Sequence, residues 1–173
     1  IYFWPASRGH LAPLNLRGKS DLSILGLGLV TILTPSADQG FITIQHCDHI
    51  TLRNLNFGSL DSQPGCARSR VVIRNSRVIT LNGLLIQGPA KAILDTREVD
   101  GLFLEKSVLS LASGSTLLMA HTTNVHIRHC ILSENSEVCG EPMLKLDSCG
   151  ALEISKSIIA ANTAPFSHLR SVE

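Results

Sequence analysis

One spacing of apolar residues returns six times along this chain of 173 residues, and it constrains the fold more than any other feature. Leu14, Leu16, Leu22, Ile24, Leu27 and Leu29 set it. The same gaps recur in Ile42, Ile44, Ile50, Leu52, Leu55, Phe57 and in Val71, Ile73, Ile79, Leu81, Leu84, Ile86. Leu94, Thr96, Leu102, Leu104, Ser107, Leu109 follow, then Leu117, Met119, Val125, Ile127, Cys130, Leu132, and finally Leu144, Leu146, Leu152, Ile154, Ser157, Ile159. Each copy is three pairs at i, i+2, the period at which strand side chains share a face.

Five residues separate the first pair from the second, as in Arg17 to Asp21, and two separate the second from the third, as in Arg53-Asn54. A two-residue joint could be a hairpin, but only Asn82-Gly83 has the composition that hairpins favour. A bend that points all three pairs at one interior suits every copy. Three short inward-facing strands per turn, stacked turn on turn, make a parallel β-helix, because one unit cannot bury its apolar face alone. Only the third connection varies in length, over 30–41, 58–70, 87–93, 110–116 and 133–143, where Pro and Gly collect. Ser107, Cys130 and Ser157 share one template column and read as small residues that let a corner close tightly.

The opening phrases, Ile-Tyr-Phe-Trp-Pro, Pro-Leu-Asn-Leu and Leu-Ser-Ile-Leu-Gly-Leu-Gly, resemble the start of right-handed parallel β-helix domains of the pectate-lyase-like superfamily. His49-Ile-Thr-Leu-Arg-Asn-Leu-Asn-Phe57 and Asn124-Val-His-Ile-Arg-His-Cys-Ile-Leu132 resemble later coils of that family. The coils are also similar in wording to β-helix segments of phage-tail and contractile-injection baseplate or spike proteins. The expected fold is therefore all-β: a right-handed single-stranded parallel β-helix of about six coils, one domain over 1–173. Both ends read as cut, which predicts a segment of a longer chain or one completed by neighbouring subunits.

Net charge is +1, so nucleic acid is not favoured as a partner, and no apolar run reaches eighteen residues, so no membrane span is expected. The five cysteines, Cys47, Cys66, Cys130, Cys139 and Cys149, lack metal-type spacing, and no cofactor or metal is expected. They read as reduced, structural thiols, which suits folding in a reducing compartment or within an assembled particle. A disulfide at the loop residues Cys66 or Cys139 is the alternative.

The resemblance implies that a ligand would lie along the outer face of the first strand stack. The columns there group Arg74, Asp95, Arg97, Glu98 and His121. Arg74 and Arg97 stack, and with the carboxylates they form a candidate ligand site for a uronate, since Arg offers a bidentate fork. Glu98 and His121 on adjacent coils form a candidate acid/base pair, and Arg74 or Arg97 is a candidate lyase base. The alternative is a solvated face carrying salt bridges. The Asn-Thr-Asp, Asp-Asp and Gly-His-Gly phrases that mark glycoside hydrolases of this fold are absent. The nearest match to the calcium-lyase phrase, Ile127-Arg-His129, carries Arg128 at the metal-binding position.

On the third stack, Leu85, Val108, Ile131 and Ile158 form an outward apolar column. It predicts either cover by the same longer chain or a protein interface. Two functions follow. The first is a non-catalytic structural or recognition module of a larger assembly, appendage-, baseplate- or adhesin-like, with polysaccharide as its candidate ligand. The second is a polysaccharide lyase or glycoside hydrolase acting on an acidic polysaccharide.

Overall fold

In the computed structural model, the described residues are 2–3, 9–10, 13–34, 40–59, 68–133, 136, 138–160 and 167–170. Among them every regular element is a strand and every pairing is parallel. The strands are β1 (Tyr2–Phe3), β2 (Gly9–His10), β3 (Leu14–Arg17), β4 (Ser20–Thr34), β5 (Ile42–Gln45), β6 (Asp48–Ser59), β7 (Val71–Asn82) and β8 (Leu85–Gln87). They continue as β9 (Ala92–Glu105), β10 (Val108–Ser110), β11 (Ser115–Arg128), β12 (Ile131–Ser133), β13 (Leu144–Asp147), β14 (Gly150–Ser155), β15 (Ile158–Ala160) and β16 (Ser167–Arg170). No helix among them is long and apolar enough to cross a membrane.

The rung order follows the sequence spacing. Leu14 pairs with Ile42, then Val71, Leu94, Leu117, Leu144 and Ser167 in turn. The second stack runs Leu22, Ile50, Ile79, Leu102, Val125, Leu152, and the third ends Ile86, Leu109, Leu132, Ile159. The protein is a parallel β-helix, and five turns separate Leu14 from Leu144. Its core is the stacked template: Ile44, Ile73, Ile50, Leu81, Leu104 and Ile127 are all fully buried. Each such Leu or Ile contributes roughly 1.5–3 kcal/mol by leaving water.

The turns between strands are made by single left-handed residues. Gly18, His46, Asn75, Glu98, His121 and Ser148 form one such column, all with φ between 48° and 60°. Asp21, His49, Val78, Gly101, Asn124 and Ala151 form a second, and Asn54, Gly83, Lys106, His129 and Lys156 a third. Asn, Asp and His tolerate this region better than other side chains. The two-residue joints are thus bends and not hairpins.

Two corners are closed by small polar side chains. Ser107 Oγ donates to Glu105 O at 2.7 Å and accepts from Leu84 N–H at 3.1 Å. Ser157 does the same for Ser155 O (2.9 Å) and Cys130 N–H (3.1 Å), while the Cys130 thiol reaches Arg128 O at 3.3 Å. The small column therefore does more than pack: it satisfies the carbonyl that each bend frees. A parallel column, Cys47, Ser76, Val99, Thr122 and Cys149, is buried at the corner after the first stack, a position outside the apolar template. Ser76 Oγ there donates to Arg74 O at 2.7 Å and accepts from Cys47 N–H at 3.1 Å.

Two expectations need correction. In the first coil the third apolar pair does not register at Leu27 and Leu29: the pairing shifts between Leu25 and Val30, so Val30 and Ile32 are the rung partners of Leu55 and Phe57. The first long connection accordingly begins later than residue 30, because β4 runs to Thr34. The reduced-thiol expectation also fails at one residue. Cys139 is disulfide-bonded, whereas Cys47, Cys130 and Cys149 are free and buried. Cys66 lies outside the described residues. Burial pushes the Cys130 and Cys149 thiols up, away from the reactive thiolate.

Candidate functional site

The outward columns of the first face follow the register. Asn15, Thr43, Val72 and Asp95 stand rung on rung, as do Arg17, Gln45, Arg74 and Arg97. Neighbouring rungs of a sheet lie about 4.8 Å apart, so side chains one coil apart reach each other.

Arg74 and Asp95 use this proximity. The guanidinium lies 2.7 Å from Asp95 Oδ1 and donates to the Asp95 carbonyl at 3.0 Å and to Ile73 O at 3.1 Å. Ser69 Oγ donates to Asp95 Oδ2 at 3.1 Å. Both carboxylate oxygens are engaged, so Asp95 anchors Arg74 and Ser69. Arg97 is different: its side chain is 60% exposed, and its Nε stands 3.7 Å from Glu98 Oε1, a loose contact. Glu98 and His121 both occupy left-handed corners and are exposed. No hydrogen bond or ion pair joins them among the described residues.

Beside this cluster runs a groove of about 360 Å³. Asn15, Thr43, Val72 and Asp95 form its floor, and Gly40, Arg68, Ser69 and Lys91 wall it from the third connections. Of the five predicted residues only Asp95 lines it. Arg68 and Lys91 were not expected, because their place depends on how the connections return to the first stack. Arg68 and Lys91 outnumber the one carboxylate of the lining, Asp95, which is already bonded, so the lining carries net positive charge.

The second face carries a cluster that the sequence columns also define. Phe103 and His126, one rung apart, stack with centroids 5.3 Å apart and planes 4° from parallel. His126 Nδ1 lies 3.2 Å from Glu153 Oε2, and Arg128 grips the same carboxylate through Nη2 at 2.6 Å and Nε at 3.2 Å. Ser155 adds a bond of 2.9 Å. Arg128, then Ser155 and His126, hold the Glu153 carboxyl down at about 2. Alternation past Leu102, Val125 and Leu152 is the signal that locates these residues.

On the third face, Leu85, Val108, Ile131 and Ile158 pair rung to rung in one column. Leu85 and Val108 are half-buried; Ile131 is 38% and Ile158 58% exposed. The class defined by these features is the parallel β-helix proteins. No protein-family model, curated protein or solved structure matches this chain.

Proposed function

We propose that this β-helix is a non-catalytic recognition module of a larger assembly and that it binds an acidic glycan along its first face. The groove lined by Arg68 and Lys91 carries the reading: it offers two cations, the hydroxyl of Thr43 and the amide of Asn15 beside a carboxylate already bonded on both oxygens. Carboxylated sugars need such cationic and hydrogen-bonding partners. Hydrolysis by paired carboxylates needs one protonated carboxyl and one ionised carboxylate at roughly 5–9.5 Å, and Asp95 is bonded to Arg74 and Ser69. The resemblance to the pectate-lyase-like superfamily supports the choice of face, while fold alone does not give an activity.

Titration calorimetry with uronate oligosaccharides tests this reading. Binding is expected, with loss of about tenfold or more in the Arg68→Glu/Lys91→Glu double variant and no chain cleavage. Failure of every uronate oligomer to bind, or equal binding by the double variant, overturns it.

One observation favours the second reading, a polysaccharide lyase: Arg97 stands largely exposed on the same face with only a loose partner. That version requires cleavage of a uronate polymer that disappears in Arg97→Ala. Equal activity in the variant removes it.

A further inference from the structure

The third left-handed corner changes character along the helix. Its first residues, Asn54 and Gly83, are uncharged, and the next three are Lys106, His129 and Lys156. All three of these are exposed. Two residues beyond each stands a member of the outward apolar column: Val108, Ile131 and Ile158. The intervening Ser107, Cys130 and Ser157 turn into the corner. The result is two adjacent rows over the same three coils, one of two lysines flanking a histidine and one of β-branched aliphatics.

Two acidic groups that shortly precede the lysines in the chain, Glu105 and Glu153, are already partnered. Glu105 accepts from Asn82 at 3.0 Å, and Glu153 is held by Arg128 and His126. The lysines therefore face outward without an acidic partner drawn from these two residues. A fluid interface that is anionic at its surface and apolar just beneath fits both rows at once.

We propose that this ridge docks the β-helix on an anionic lipid surface, with Lys106, His129 and Lys156 among the headgroups and Ile131 and Ile158 entering the apolar boundary. The proposal stands apart from the glycan reading, because it uses a different face and a different class of ligand.

Cosedimentation with phosphatidylcholine vesicles, with and without phosphatidylserine, is the test. The parent chain is expected to pellet with the phosphatidylserine vesicles and to be released by raised salt. Lys106→Glu/Lys156→Glu is expected to lower partitioning by about tenfold or more. Ile131→Ser/Ile158→Ser should lower it by a similar factor, since two exposed aliphatics lose their burial. Arg17→Glu, an exposed charge reversal on the first face, should leave partitioning unchanged, which separates the ridge from net charge. All of these positions are exposed, and unchanged circular dichroism would verify folding. Three results overturn the proposal: no pelleting, equal pelleting with neutral vesicles, or ridge variants that bind as the parent does. A parent dimer that becomes monomeric in Ile131→Ser/Ile158→Ser, with no vesicle binding, would instead assign the ridge to a second copy of the chain.

Discussion

Arg74 reaches across one rung to Asp95, 2.7 Å from its carboxylate, and also bonds that residue's backbone carbonyl, so the pair ties two coils by side chain and main chain together. The carboxylate is well shielded and the guanidinium partly so. Arg74→Ala leaves Asp95 with Ser69 as its remaining side-chain partner. It should lower stability by about 2 kcal/mol, read from the midpoint and slope of urea unfolding. An unchanged midpoint would mean that the pair contributes nothing.

Acid should loosen the second face. The Glu153 carboxyl titrates at about 2 when folded, well below its ordinary value, because Arg128 first, then Ser155 and His126, favour its charged form. A depressed folded pKa gives stability that is present above the ordinary carboxylate range and lost as pH falls towards about 2. Glu153→Gln should therefore flatten the unfolding-midpoint profile in that acid window and leave its slope near neutrality alone. A carboxyl titration followed by NMR checks the low midpoint directly.

Ser107→Ala removes one oxygen that serves two backbone groups, Glu105 O and Leu84 N–H, at a buried corner. The expected loss is about 1–3 kcal/mol. Ser107→Cys should lose less, because Cys130 holds the same station one coil on. Thermal unfolding of the two variants side by side decides it, and the ranking Cys above Ala is the critical result.

Val78 carries a β-branched side chain at φ 49°, where the next rungs of the same corner use Gly101 and Asn124. The left-handed region costs an L-residue about 1–2 kcal/mol. Val78→Asn should therefore raise stability by about 1 kcal/mol, after allowance for lost packing of the half-buried isopropyl group. A lower melting temperature would show that this packing outweighs the backbone strain.

The period-two grid was legible because most inward positions are Leu, Ile or Val, and from the second coil on one insertion point per coil absorbs the length changes. The columns of the first face could therefore be written down from spacing alone, and the Arg74 to Asp95 adjacency came with them. The reading failed at Leu27 and Leu29 because residues 24–33 are apolar in both strand phases, so periodicity selects neither. The register shift between Leu25 and Val30 settles the phase. Arg68 and Lys91 escaped notice for another reason: they sit at ends of the connections, where no period applies. The Cys139 disulfide was one of two open alternatives, since a pairing depends on spatial approach and not on spacing. His121, singled out as half of an acid/base pair, has a conformational explanation: it occupies a left-handed corner, as do His46, His49 and His129.

The unbroken register from Leu14 to Ser167 also makes the molecule a ruler. Its outer graduations come every 4.8 Å or so and do not stretch, because each rung is hydrogen-bonded to the next. A rigid polymer lying along the axis with a different repeat falls out of step after a few graduations and meets matched groups over only a short stretch. A flexible ligand can stay in step by bending. The regularity that made the fold readable thus becomes a filter on the stiffness and repeat of whatever lies along it.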